Sequence, residues 1–239
     1  VRRESRSEDD GFRSELVPGL HASADAERLA AEVAFAQGVL AALALAPVGR
    51  YAEARELAGT DIEAATLTCF QIAAAPRTPL EIDRSAESEA AYLAWVERSG
   101  GSQAEAFRGE SSWTPERRFE RLFERLALPG FPRAPRYHLL VTLGRLGLYE
   151  LRAGSLQLAG APAAGDDATT LAAKRIFAIG DPLLLERRAG ALAAAADVPI
   201  DALDLALANW GSAERITLGF PGEVGDEGAL ARTREALGL

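Results

Sequence analysis

Proline and glycine cut this chain into apolar segments with helical spacing, and β-branched residues are too sparse within those segments to favour strands. A helix of about twenty residues is expected from Ala24 through the alanine-rich run at 41–46, stopped by Pro47-Val48-Gly49. A short helix over 51–57 follows, then one over 61–75 with Ile62, Ala65, Cys69 and Ile72 or Ala73 at helical spacing, closed by Pro76 and Pro79. The next expected helix, over 85–99, is built around Ala91, Leu93 and Trp95 and stops at Gly100-Gly101. Over 114–128, Thr114 reads as a cap before Pro115, and Phe119, Leu122, Phe123 and Leu126 form one apolar face ending at Pro129-Gly130. Further helices are expected over 135–143, 169–177, 182–196, 201–210 and 229–237. The segment 149–158 reads as a short helix or a hairpin-like excursion, 160–167 as a loop, and 219–228 as a glycine-rich surface loop. This pattern predicts an all-α protein.

With 239 residues, 48% of them hydrophobic, the chain can bury a substantial core as one large domain or two intimate helical lobes sharing a cleft. The expected division is a charged, frayed N-terminus at 1–22, an N-terminal helical lobe at 23–128, a second lobe at 129–218 and a C-terminal loop with a short helix at 219–239. No run of eighteen uncharged apolar residues and no apolar signal core is present, which predicts a soluble, cytoplasmic protein without a membrane partner. Association with a bacterial nucleoid is the alternative location. Cys69 is the only cysteine, and His21 and His138 are the only histidines. A disulfide framework within the chain is excluded and a cysteine–histidine zinc site is disfavoured, leaving only oxygen-ligand Mg²⁺ chemistry open. No glycine-rich phosphate loop follows a strand, which disfavours redox or nucleotide-cofactor chemistry; no cofactor is expected and no metal ligand is assigned.

The net charge of −9 argues against a polyanionic partner until its distribution is considered. Residues 1–111 carry 11 basic and 19 acidic side chains, 112–190 carry 12 and 8, and 191–239 carry 3 and 8, giving balances of −8, +4 and −5. A basic middle third can steer a polyanion locally, and an Arg- and Glu-rich helix surface produces the same imbalance without any function. Within that third lies Ile176-Phe177-Ala178-Ile179-Gly180-Asp181-Pro182-Leu183-Leu184-Leu185-Glu186-Arg187-Arg188-Ala189. It reads as a helix, a turn in which Gly180 adopts positive φ, and a second helix capped by Asp181 with Pro182 at its first position. The N–H groups of Ile179 and Gly180 and the second helix's N-terminus are then placed to hold a phosphate; an ordinary helical corner is the alternative. Asp201 and Asp204 follow at the start of the next helix, where the dipole favours an ionised carboxylate.

The order of these features resembles the helix-hairpin-helix DNA glycosylase superfamily, and within it the alpha-glutamyl/putrescinyl thymine pyrophosphorylase-like branch. The resemblance rests on Gly59-Thr60-Asp61-Ile62-Glu63-Ala64-Ala65-Thr66, 133–147, 172–188 and 200–210. For glycosylases it implies a hairpin that binds DNA phosphates and a downstream aspartate in a pocket for an extruded base. For the pyrophosphorylase-like branch it implies that an amine replaces an activated oxygen substituent on a thymine methyl carbon. The family's hairpin glycine corresponds to Gly180, and its aspartate corresponds to Asp201, with Asp204 as the rival. Bifunctional members carry a lysine two residues after the glycine; Pro182 stands there, which removes the familiar lyase route.

The resemblance implies a DNA-directed enzyme acting on a flipped, modified pyrimidine, either altering its substituent or cleaving its N-glycosidic bond as in DNA repair. A small-molecule amine is then a second substrate. The alternative is a noncatalytic DNA-binding or structural protein on the same scaffold. Candidate phosphate contacts are Lys174, the only lysine, with Arg175, Arg187, Arg188, Arg133, Arg136 and Arg145, together with close approaches at Gly144 and Gly147. Tyr137 and Trp210 are candidate stacking surfaces for an extruded base, or core anchors. His138 is a proton carrier or a half-buried structural residue. Asp61, Glu63 and Thr66 form a further candidate pocket for a modified base or metal, with helix capping by Asp61 as its competitor.

Overall fold

The computed structural model describes residues 7–75, 82–158, 166–220, 222 and 224–239. Among them are eleven helices and no strand: α1 Ser23–Leu45, α2 Arg50–Ala58, α3 Ile62–Ala74, α4 Ile82–Arg98, α5 Gln103–Arg108, α6 Pro115–Arg125, α7 Arg133–Arg145, α8 Ala168–Phe177, α9 Pro182–Ala195, α10 Ile200–Trp210 and α11 Glu227–Leu237. The expected stops at Pro76 and Pro79, and most of the loop expected over 160–167, lie outside the described residues.

Side-chain caps set many of the helix starts. Asp61 accepts from Ala64 N–H, Ser102 from Glu105, Thr114 from Arg117, Asp167 from Thr170, Asp181 from Leu184 and Asp226 from Ala229, at 2.8 to 3.2 Å. Each satisfies a backbone donor that the helix cannot, a contribution of about 1 kcal/mol. Pro115 and Pro182 follow their caps in the first turn, where a missing N–H costs no helical bond.

The chain forms two compact units, one of residues 1–39 with 166–239 and the other of 40–165. The boundary expected at 129 falls inside the second unit, where α6 and α7 pack together and Phe119 and Phe123 meet the Tyr137 ring edge-on.

In the first unit α10 packs on α8, α9 on both, and α11 on α9. Its centre is Trp210, 1% exposed, whose ring centroid is 4.6 Å from the Arg28 guanidinium and 4.7 Å from that of Arg175. The indole N–H donates to the Asp25 carbonyl at 3.2 Å, and the Asp25 carboxylate pairs with Arg175 at 3.7 Å. The expectation of a frayed N-terminus is corrected for residues 7–22. Val17 and Leu20 are buried, and Gly19 N–H donates to the Ile176 carbonyl at the end of α8 at 2.8 Å. A Cβ on Gly19 would stand 1.9 Å from the Arg175 carbonyl oxygen, so only glycine lets this segment lie so close. Asp10 accepts from the backbone N–H and hydroxyl of Ser23, capping α1 from a distance in sequence.

In the second unit α3 packs against α2, α4, α5 and α7. A ladder of rings passes through it from Phe131 to Phe70, Tyr92, Trp95, Phe107 and Tyr149, with successive centroids 3.9 to 5.7 Å apart. The segment 149–158 forms no α-helix, so its carbonyl groups need other donors. Arg118 donates to Glu150 O at 2.9 Å, Tyr137 to Ser155 O at 3.0 Å, and Arg133 Nε to Leu156 O at 3.0 Å. Among the described helices, α1 is long and apolar enough to cross a membrane by length and composition, and 56% of that stretch is buried within the fold.

Trp210→Ala is expected to lower the unfolding free energy by about 3–5 kcal/mol, the usual cost of emptying a core aromatic site. Urea unfolding followed by far-ultraviolet circular dichroism measures it. A loss below about 1 kcal/mol would contradict a central role for the arginine–tryptophan stack.

Candidate functional site

The turn between α8 and α9 departs from expectation in its backbone. The left-handed residue is Ala178, at φ 53°, whereas Gly180 does not adopt a positive φ. The reversal therefore occurs on an alanine, at a cost of roughly 1–2 kcal/mol that the flanking helices must hold. A Cβ at Gly180 would meet nothing within 4 Å. Apart from half-buried Ile179, every residue from 178 to 184 is exposed. Asp181 caps α9 as expected, occupying the Leu184 N–H. The N–H groups of Ile179, Gly180, Asp181 and Leu183 donate to no acceptor among the described residues. The turn thus offers several outward donors beside one carboxylate, which would oppose an anion placed directly over the helix end.

The two candidate acids lie on α10 rather than on the α8–α9 pair. The N-cap of α10 is Pro199, so Asp201 is a first-turn residue whose carboxylate accepts from Ala202 N–H at 3.1 Å. Asp204 lies three residues on, placing both half-buried acids on one helix face. Thr169, at the N-terminal end of α8, donates to the Asp204 carbonyl at 3.4 Å. The turn lies beyond the other end of α8, about 12 Å of helix rise away. Hairpin and acid consequently occupy opposite ends of α8 rather than one pocket.

The basic candidates separate into engaged and outward-facing groups. Lys174 pairs with Asp166 at 2.6 Å, and Arg175 is committed to Trp210 and Asp25. Arg187 and Arg188 are exposed on α9, and Arg188 donates to the Glu15 carbonyl at 2.9 Å. Arg133 and Arg136 are corrected as phosphate contacts because both are buried. Arg133 serves Leu156 and lies 5.0 Å from the Tyr137 ring, while Arg136 donates to the Phe123 carbonyl at 3.0 Å. Burial, and then the charge of Arg133, lower the pKa of Arg136. Arg145 is half-buried in the last turn of α7.

Trp210 and Tyr137, each 1% exposed, have no ring face open for an extruded base, so both are corrected to core anchors. Gly144 does permit a close backbone approach, but to the chain itself: a Cβ there would lie 2.4 Å from the Leu151 carbonyl oxygen. Gly147, at φ 75°, ends α7 in a left-handed turn in which Leu148 N–H returns to the Leu143 carbonyl. His138 is half-buried, with Nε2 3.0 Å from the Tyr51 hydroxyl.

In the second unit the Asp61–Thr66 group is a brace. Asp61 caps α3. The Glu63 carboxylate accepts from Ser102 Oγ, Gln103 N–H and Ala104 N–H at 2.6, 2.8 and 3.0 Å, capping α5 from a neighbouring helix. Burial disfavours its charge, but hydrogen bonds from Ser102, Ala104 and Gln103 outweigh burial and place its pKa below the ordinary 4.5. Tyr92 donates to Gln103 Oε1 at 2.5 Å, and Thr66 Oγ1 lies 2.7 Å from the Tyr149 hydroxyl. Burial pushes Tyr149 up to about 12, keeping its phenol protonated at neutral pH. Tyr92, Ser102, Gln103 and Tyr149 were not candidates in sequence. The one available signal was Ser102-Gln103-Ala104-Glu105, a capping-box pattern that marks the start of α5.

The model of the family described as alpha-glutamyl/putrescinyl thymine pyrophosphorylase clade 3 matches residues 80–218, more than half of the chain. The chain belongs to that family. No curated protein and no solved structure matches it. The matched residues include the brace members Tyr92, Gln103 and Tyr149, the α8–α9 turn, and the Asp201–Asp204 face.

Glu63→Gln tests the brace. A folded-state pKa below the unfolded value means that the carboxylate's stabilisation is complete above pH 4.5 and is lost as pH falls through the lower folded value. The substitution is expected to cost about 1.5–3 kcal/mol at pH 7. The gap to the original protein should narrow below pH 4.5 in urea unfolding. A gap independent of pH would refute the ionised cap.

Proposed function

We propose that this protein acts on DNA and replaces an activated oxygen substituent on a thymine methyl carbon by an amine. The amine nitrogen forms a bond to the methylene carbon as the C–O bond to the pyrophosphate group breaks. The pyrophosphate leaves with the bonding electrons, and the amine loses a proton. The observation that carries this reading is the family match spanning the α8–α9 turn and the paired acids of α10.

The chain's own groups can divide that work. Asp201, with Asp204 beside it, takes the amine proton and opposes positive charge developing at the methylene carbon. Their half-buried face at the start of α10 suits carboxylates that must remain charged while partly screened from water. The α8–α9 turn, with its outward N–H groups and the exposed Arg187 and Arg188, positions the DNA backbone as in a helix-hairpin-helix. The distance between turn and acids fits a division of labour in which one end of α8 holds phosphate and the other receives the base. Flipping the thymine would bring its methyl carbon out of the major groove into that face. A DNA substrate places the protein with cellular DNA, in the cytoplasm or on a nucleoid.

The test uses duplex DNA bearing a pyrophosphate ester on the thymine methyl carbon, incubated with putrescine or glutamate. Nucleoside mass spectrometry should show the amine-substituted thymine with one pyrophosphate released per substitution. Asp201→Asn should reduce turnover by about 10²–10⁴-fold while DNA affinity stays within about twofold. Bound DNA without pyrophosphate release for either amine would favour a noncatalytic scaffold, and release of free base would favour glycosidic cleavage.

A further inference from the structure

Helices α7, α9 and α11 end alike. Each runs into a left-handed residue, Gly147 at φ 75°, Asp197 at φ 50° and Gly238 at φ 79°, and the N–H that follows returns to the helix. Leu148 thus donates to the Leu143 carbonyl, Val198 to Ala193 and Leu239 to Arg234, each at 3.0 Å, and each bond satisfies a carbonyl that the helix leaves without a donor. Helix α8 runs into the same conformation at Ala178, φ 53°, yet Ile179 makes no such return to Lys174. Among the described residues neither the Ala178 nor the Ile179 N–H has a backbone acceptor.

The end of α8 is closed instead from the far end of the sequence. Gly19 N–H donates to the Ile176 carbonyl at 2.8 Å. The Gly19 backbone lies against the same helix end so closely that a Cβ would stand 1.9 Å from the Arg175 carbonyl oxygen and 2.9 Å from that of Ile176. Residues 15–20 form a strap pinned around that contact. Val17 and Leu20 are buried, Leu20 N–H donates to the Val17 carbonyl at 3.0 Å, and Arg188 of α9 donates to the Glu15 carbonyl at 2.9 Å. The strap therefore holds α8 through Gly19 and α9 through Glu15, with the turn between them. Free carbonyls give a helix end partial negative charge, which repels an anion held beside it. The Gly19 N–H offsets that charge at Ile176 without drawing on the turn's own donors.

We propose that Gly19 is a positioning residue for the α8–α9 turn: its N–H closes α8 in place of Ile179, and the strap holds the Ile179 and Gly180 N–H groups outward for the DNA backbone. The inference rests on the DNA reading above and adds to it the element, remote in sequence, that sets the turn's donors.

Amide hydrogen exchange followed by nuclear magnetic resonance, together with duplex titration, tests it on the original protein, Gly19→Ala and Leu237→Ala. In the original protein the Gly19 amide should be protected and the Ile179 and Gly180 amides open, the latter two slowing when duplex binds. In Gly19→Ala the added Cβ lifts the strap and lets Ile179 N–H return to α8, so its exchange should slow, and DNA affinity should fall, by about tenfold or more. Leu237→Ala empties a buried site of the same unit away from the strap. It should melt lower but keep Ile179 exchange and DNA affinity within about twofold of the original. Exchange and affinity in Gly19→Ala that match Leu237→Ala would overturn the positioning role and leave the DNA reading standing. Should Gly19→Ala fail to fold, the original protein decides: an unprotected Gly19 amide, or Ile179 and Gly180 amides unmoved by a duplex that binds, overturns the role. No duplex binding by the original protein at low salt would overturn the DNA reading and, with it, the use assigned to the turn's donors.

Discussion

A backbone that leaves the helix loses the regular donors for its carbonyl groups, and in the 40–165 unit three buried side chains meet part of that demand. The segment 149–158 has no α-helical bonds of its own, and Arg118, Tyr137 and Arg133 reach it from α6 and α7. Burying a guanidinium is costly unless it is hydrogen-bonded, and the Glu150 and Leu156 carbonyls give Arg118 and Arg133 acceptors. The same segment brings Tyr149 to Thr66 and seats the Leu151 carbonyl against Gly144. An irregular stretch thereby fixes the faces of α3 and α7.

That accounting changes the meaning of the basic middle third. Its excess of four positive charges reads as a footprint for a polyanion when only composition is visible. In the folded chain Arg118, Arg133 and Arg136 are buried on carbonyl oxygens, Arg121 and Arg152 pair with Glu124 and Glu116, and Lys174 and Arg175 pair with Asp166 and Asp25. Exposed ion pairs of this kind contribute little to stability, yet they reduce the local field available to a distant anion.

Helices were legible because their signals are local. Thr114-Pro115 and Asp181-Pro182 each combine a capping side chain with a residue that needs no N–H bond, and both stand where the sequence places them. The role of Asp61 was legible for the same reason. The fate of 7–22 was not, because the apolar residues that anchor it, Val17 and Leu20, are isolated among charged ones and its bonds go to Ser23 and to Ile176, far along the chain. Nor could sequence spacing show that Glu63 caps α5, forty residues away, or that the Trp210 ring meets two arginines, Arg28 and Arg175, that the whole of the 40–165 unit separates in sequence. The positive φ was assigned to Gly180 because glycine adopts it most readily, whereas helix packing places it on Ala178.

These reassignments narrow where DNA chemistry can reside in the unit of residues 1–39 and 166–239. With Trp210 enclosed and Arg175 held to its face, the side of α8 toward Trp210 is committed to the core. Facing outward at one end are Leu183, Leu184, Arg187 and the turn's N–H groups that donate to no acceptor among the described residues, with Arg188 bonded to the Glu15 carbonyl beside them; at the other end lie the half-buried Asp201 and Asp204, each with contacts of its own. An anionic leaving group and a carboxylate base repel one another if they share a pocket, by an amount that grows as water is excluded. On the proposed reading the pyrophosphate departs from the carbon that the acids serve, so that repulsion stays at the Asp201–Asp204 face; what the length of α8 separates from those acids is the DNA backbone, for which the outward N–H groups of the turn and the exposed Arg187 are the proposed contacts.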